Sequence, residues 1–279
     1  MPWGEDLWDQ FQAVEKHAAQ GNEATENIRN FIAKVAEVER EYATKLAAVC
    51  KSFGAVAERD TNTTFGHAWG TLVDSVNNIA THHGNLSTSL AAEVCQPLKQ
   101  LVKEKTHEKD EHAKHYHKNE ASLQKEFQAF EKSKKVYDKI DKEAESAKAS
   151  FEKLERSESA NRKKVDLSRR EYASKAKARE EGQRTLADAL DKLNRARTAH
   201  YYTEQRDVIN AVQAMDEARN EAAVGNMLLM TDLYFALHKE EHTALTRAAD
   251  ACKQFNKDSD SQDLQRALAT GKPLPGTVA

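Results

Sequence analysis

A chain of 279 residues with 31% charged residues, 39% hydrophobic residues and four prolines has room for one or two domains and little to interrupt a helix. Its formal net charge of −3 excludes a globally basic nucleic-acid binder, and Cys50, Cys95 and Cys252 are too few and too scattered for a disulfide framework or a cysteine metal site. No apolar run approaches the ~20 residues of a membrane span and no signal peptide opens the chain. The expected compartment is therefore a reducing cytoplasm, and the sequons at Asn62 and Asn85 are chance matches.

The opening Trp3-Gly4-Glu5-Asp6-Leu7-Trp8-Asp9-Gln10-Phe11 predicts a short helix that packs both tryptophans onto something larger. A break is expected at Gly21-Asn22. Ile28, Phe31, Ile32, Val35, Val38, Tyr42, Leu46, Val49 and Phe53 then recur at helical spacing and predict an amphipathic helix over about 23–56, with Cys50 on or beside its apolar stripe. The run Asp60-Thr61-Asn62-Thr63-Thr64 reads as a turn with capping residues for the next helix.

That helix is expected over about 64–156, with a kink at Pro97. Between Leu98 and Glu181 there is neither glycine nor proline, and a continuous helix of that length would span roughly 125 Å. Tyr116, Leu123, Phe130, Tyr137, Ala144 and Phe151 fall at seven-residue intervals, the mark of a helix that keeps one stripe against partner helices. The polar cluster Ser157–Asn161 predicts a tip where the chain reverses. A return helix over about 162–256 follows, carrying a second heptad of Tyr201, Val208, Met215, Ala222, Leu229 and Ala236. The polar run Lys257–Ser261 is read as its end, before a short helix near 262–270 and an extended tail over 271–279. The expectation is one all-α domain over 1–270, an elongated antiparallel bundle of long helices that dimerises because thin rods leave much of each apolar stripe uncovered.

Charge is unevenly spread. From Gln96 to Arg197 there are 27 Lys and Arg against 20 Asp and Glu, and the rest of the chain carries 15 against 25. Such asymmetry points to a basic surface on the long middle helices. His107, His112, His115 and His117 crowd the same stretch with Glu108, Asp110 and Glu111. A charged surface cluster is favoured there over a metal site, and protonation below about pH 6.5 is expected to add positive charge beside the basic face. With no Gly-rich phosphate loop, nucleophile elbow or HExxH helix, the chain reads as a non-enzyme without cofactor or metal.

These motifs resemble the F-BAR domain, most closely its Cdc42-interacting and Toca-like branch. The resemblance rests on Trp3-Gly4-x-x-Leu7-Trp8-Asp9-Gln10-Phe11, on Glu37-Val38-Glu39-Arg40-Glu41-Tyr42-Ala43-x-Lys45-Leu46, and on Ala68-Trp69. Lys142-Glu143-Ala144-Glu145, Phe151-Glu152-Lys153 and His200-Tyr201-Tyr202 extend it along the arms. It implies a crescent-shaped antiparallel homodimer, capable of tip-to-tip contact, that lays a basic concave face on anionic membrane rich in phosphatidylserine or phosphoinositides and senses or imposes curvature. It also implies a peripheral location on the inner face of the plasma membrane or on endocytic membranes, and actin-regulatory partners recruited through segments outside this chain.

The basic positions that match the resemblance are Lys51, Lys109, Lys118, Lys134, Lys135, Lys139 and Lys142, with Lys114 a neighbouring candidate and Arg162, Lys163 and Lys164 a basic cluster at the tip. Ala33, Ser52 and Asp110 stand where close relatives often carry Lys or Arg. Nucleic-acid phosphate would attract the same charges, yet no base-stacking aromatics interleave with them. The rival to the membrane reading is a helical dimer acting as a protein scaffold with no membrane contact.

Overall fold

The computed structural model describes residues 1–57, 62–272 and 276. Part of the turn read at Asp60–Thr64 and most of the proline-containing tail lie outside the described residues. Among the described residues no strand occurs. Seven α-helices run in the order α1 (Trp3–Asp6), α2 (Phe11–Ala57), α3 (Thr64–Ser89), α4 (Gln96–Glu155), α5 (Arg162–Ala199), α6 (Gln205–Lys253) and α7 (Lys257–Leu268), with π-helical turns at Leu90–Cys95 and His200–Glu204. They form two compact units, one of residues 1–19 with 107–217, the other of 20–106 with 218–279.

In the first unit, Phe11, Val14 and Ala18 of α2 pack on Val208, Ile209, Val212 and Met215 of α6. Phe11 stacks on Tyr116 of α4 with ring centroids 3.7 Å apart. The short α1 is fastened by side chains of α6: the Trp3 N–H donates to Gln213 Oε1 (2.7 Å) and the Gly4 N–H to Asn210 Oδ1 (2.7 Å). Gly4 is needed there because a Cβ would lie 2.5 Å from the Arg206 carbonyl oxygen. Only Trp3 is drawn in, edge-on to His17; Trp8 remains 45% exposed, because it sits on the link after α1 and meets only the edge of Tyr201.

Farther out, α4 and α5 pair through Phe151 stacked on Tyr172 and through a ladder of charges. Lys175 reaches Glu143 (2.6 Å), Arg179 reaches Asp141 (2.6 Å) and Glu145 (2.9 Å), and Arg169 reaches Glu155 (3.6 Å). Asn161 caps α5 by accepting from the Lys163 N–H, so the chain leaves one helix after Glu155 and enters the next at Arg162.

The second unit is centred on Ile32 and Ala36 of α2, Leu86 of α3, Leu90, Val94 and Cys95 of the π turn, Leu98 of α4, and Ala223 and Leu237 of α6. The Ser87 hydroxyl donates to the Ala36 carbonyl (2.6 Å) inside this core. His83 lies between Glu39 (2.5 Å) and Glu241 (2.9 Å), and Glu39 also accepts from the Tyr234 hydroxyl (2.7 Å). This network ties α2, α3 and α6 together.

Several sequence expectations are corrected. No break occurs at Gly21-Asn22: α2 runs straight through, because Gly21 gives the Arg219 guanidinium room against the helix and Asn22 is buried with its amide on Thr106 Oγ1 (3.3 Å). The kink expected at Pro97 is compatible with the π turn ahead of it, in which the Gln96 N–H reaches back to the Ala91 carbonyl. A wider turn ahead of the proline relieves the clash its ring makes in α geometry. The run Lys257–Ser261 starts α7, because Asn256 accepts from the Asp258 and Ser259 N–H groups and caps it. In α6 the buried row beyond Met215 is Ala223, Leu237, Ala244 and Ala251, one position on from the heptad of Ala222 and Ala236. A helix with 3.6 residues per turn drifts ~20° per heptad, so its contact row advances.

Along α2 the inward row is likewise small: Ala36, Ala43, Cys50 and Ala57 are buried, whereas Phe31 (62% exposed), Val38, Tyr42, Val49 and Phe53 face outward. The predicted apolar face is thus split, Ile32 and the small residues packing inside the unit and Phe31, Val38, Tyr42, Val49 and Phe53 left largely uncovered.

Candidate functional site

The eight lysines singled out by sequence divide between the units. Lys51 stands exposed on α2 in the second unit, and the other seven lie on α4 in the first. The apolar heptad on α4 sets their geometry. Tyr116, Leu123, Phe130 and Tyr137 are each partly buried, and two residues beyond each comes Lys118, Lys125, Lys132 or Lys139, all exposed. A seven-residue spacing keeps these four in one line along the helix. Lys135 and Lys142, each three residues from Lys132 or Lys139, widen the line into a face. Lys134 is exposed on a neighbouring row.

Three of these rows belong to a helix that also carries many carboxylates, and the pairing pattern separates the two. Asp141, Glu143, Glu145 and Glu155 are engaged by basic residues of α5. The Lys175 ammonium bonded to Glu143 holds that carboxyl below its ordinary value. Among the described residues, Lys118, Lys125, Lys132, Lys134, Lys135, Lys139 and Lys142 form no salt bridge. Those four carboxylates are engaged within the unit, whereas Glu126, Glu131 and Asp138 stand among the lysines in no salt bridge among the described residues.

At the inner end of α4 the outcome differs. Lys109 is only 19% exposed and pairs with Asp110 (2.9 Å), one of the positions where relatives often carry a base. Lys114 is bonded to Glu111 (2.6 Å), which lowers that carboxyl and raises the ammonium. Both are neutralised where they stand. Of the histidines beside them, His112 is half-buried and 3.9 Å from Glu108, whereas His107, His115 and His117 are exposed. Among the described residues no group of three or more His, Cys, Asp and Glu is placed to hold a metal, and no helix is long and apolar enough to cross a membrane.

The tip cluster forms the first turn of α5, with Arg162, Lys163 and Lys164 all exposed. Helix N-termini favour negative charge, so three cations there are a placement that helix stability does not ask for. Sequence reasoning missed Lys125 and the alignment of Lys132 with it; the repeat 118, 125, 132, 139 was the available signal.

Residues 10–85 match the family model of the Fes/CIP4 and EFC/F-BAR homology domain. Among solved structures, the Imp2 F-BAR domain superposes with a TM-score of 0.76 at 16% identity, covering 100% of this chain and 92% of that one. The Hof1p F-BAR domain gives 0.67 at 15% identity over 95% and 94%. The fold is that of an F-BAR domain. F-BAR domains are in general dimerising, membrane-associated modules concerned with curvature and have no enzymatic role.

Two curated relatives extend the likeness along the chain. The human (Homo sapiens) formin-binding protein 1-like is 24% identical over 99% of this chain and 46% of its own length. Cdc42-interacting protein 4 of Mus musculus is 25% identical over 100% of this chain and 47% of its own length. The chain spans about half the length of the curated relatives it matches.

Proposed function

We propose that this F-BAR chain is a crescent-shaped homodimeric membrane-binding module that docks the lysine face of α4 on anionic phospholipid headgroups and so senses or imposes curvature. The observation that carries the reading is the line Lys118, Lys125, Lys132, Lys139, flanked by Lys135 and Lys142, exposed and in no salt bridge among the described residues while Asp141, Glu143, Glu145 and Glu155 of the same helix are held by α5. Each such side chain close to an anionic leaflet contributes about 1 kcal/mol. A rigid helix that presents six of them together turns weak contacts into attachment through multivalency. The exposed cations Arg162, Lys163 and Lys164 would serve the same surface or tip-to-tip contacts. The second subunit is expected on the large apolar residues left open on α2. Names of the relatives speak of formin and Cdc42, and we place the module where membrane meets the actin cytoskeleton, with those partners engaged by segments outside this chain.

Co-sedimentation with vesicles tests the reading. The chain should pellet with vesicles of phosphatidylserine and phosphoinositide at low salt, less at physiological salt, and not with neutral vesicles. Failure to pellet at low salt would instead favour the protein scaffold, a reading to which the neutralised Lys109–Asp110 and Lys114–Glu111 pairs give some support.

A further inference from the structure

In the first unit, the link after α1, the last turns of α5 and the π turn enclose an open groove of about 840 Å³. Trp8 and Tyr201 stand in it edge to face, with planes 84° apart and centroids 5.7 Å apart. Tyr202 projects beside them at 71% exposure. Tyr201 and Tyr202 both lie on the π turn, where the Gln205 N–H reaches back to the His200 carbonyl. Such turns push side chains out of helical register and often mark functional sites.

The groove holds several hydrogen-bonding groups left open, of which the Trp8 indole and the Arg197 guanidinium can only donate. The Trp8 indole N–H, the hydroxyls of Tyr201, Tyr202 and Thr198, and the Asn194 amide make no hydrogen bond among the described residues. The one carboxylate on its wall, Glu5, is already paired with Arg206 (2.7 Å). Arg197 is exposed there, with no ion pair among the described residues. A matching ligand is a chain that offers carbonyl oxygens to the Trp8 N–H and the hydroxyls, rigid apolar rings to lie on the aromatic faces and a carboxylate for Arg197.

We infer that this groove binds an extended proline-rich peptide of a partner protein, with prolines on Trp8, Tyr201 and Tyr202 and an acidic side chain on Arg197. A polyproline II segment has no internal hydrogen bonds, presents its carbonyls to solvent, and loses little entropy on docking.

The test uses the full 279-residue chain and a panel of fluorescein-labelled ten-residue proline-rich peptides. They carry the Pro-x-x-Pro pattern in both orientations and either glutamate, lysine or glycine beside it; ten-residue Gly-Ser peptides are the control. Fluorescence anisotropy should show saturable binding strongest for the glutamate set. Trp8→Ala and Tyr202→Ala, both exposed positions, should each weaken it at least tenfold with unchanged circular dichroism, and Arg197→Glu should reverse the preference for glutamate over lysine.

The inference fails if no panel member exceeds the Gly-Ser control, or if Trp8→Ala and Tyr202→Ala bind as the parent does. It fails equally if the two substitutions abolish vesicle pelleting and leave peptide binding intact, which would make the groove a membrane contact. If they split the dimer in light scattering, the groove is a contact between subunits. The lysine face of α4 takes no part in this site, so vesicle pelleting by the parent chain is independent of the result.

Discussion

His83 offers the sharpest test of how the second unit is held together. Its two ring nitrogens both face carboxylate oxygens, Nδ1 toward Glu39 and Nε2 toward Glu241, so one side chain joins the two acids. Replacing His83 by alanine leaves Glu39 and Glu241, 14% and 23% exposed, without their shared partner. Breaking a buried ion pair costs ~3–5 kcal/mol. Here Glu39 keeps the Tyr234 hydroxyl and Glu241 keeps His238 (2.9 Å), so the expected loss is smaller. We expect about 2 kcal/mol, or a fall of about 4–8 °C in Tm for a chain of this size.

A double-mutant cycle with Glu241→Gln, followed by urea unfolding and circular dichroism, isolates the shared part, which should be about 1 kcal/mol or more. Burial pushes the Glu241 carboxyl up, but hydrogen bonds from His238 and His83 bring it below its ordinary value. A carboxylate lowered on folding stabilises fully above its unfolded pKa of about 4.3 and loses that contribution as pH falls through the folded value. The gap between parent and His83→Ala should therefore narrow below about pH 4. Additive single and double substitutions, within ~0.3–0.5 kcal/mol, would refute the network as a coupled unit.

Phe31→Glu with Phe53→Glu, both on the open face of α2, should convert the dimer to a monomer in light scattering while helicity is retained; a persistent dimer would move the interface elsewhere. Gly4→Ala should destabilise the docking of α1 by ~1–3 kcal/mol, because the new methyl meets the Arg206 backbone oxygen, and limited proteolysis should then cut near residue 8. Asp260 accepts from the Thr64 (2.7 Å) and Phe65 (3.1 Å) N–H groups, and these bonds hold its carboxyl below the ordinary value against the opposing pull of burial. The α7 amides should accordingly be protected from hydrogen exchange above about pH 4 and lose protection as pH falls further, and Asp260→Ala should lose it at neutral pH.

Much of the fold could be read from the sequence because its signals are local. The absence of glycine and proline over 98–181 gave the long helices, and Asn161 and Thr63 supply the caps that the polar clusters suggested. What escaped depends on contacts between distant segments. Gly21 looks like a breaker until Arg219 is seen against it, and Asn256 is recognisable as a cap only once α7 is seen to begin behind it. On α2 the periodicity could not say that small residues would turn inward and Phe31 outward, since both rows are apolar. For the lysine face, composition gave the net positive stretch, but only the α4–α5 charge ladder distinguishes lysines left open from Lys109 and Lys114, which are paired beside their own carboxylates.

The most direct measurement of the central claim is vesicle co-sedimentation of Lys134→Glu, Lys135→Glu, Lys139→Glu and Lys142→Glu combined, alongside the parent chain. These side chains are exposed and form no salt bridge among the described residues, so the dimer should survive in light scattering. The account predicts that pelleting with phosphatidylserine and phosphoinositide vesicles is abolished. Pelleting at the parent's level by an intact dimer of the quadruple variant would contradict it and place the membrane face away from this stretch of α4.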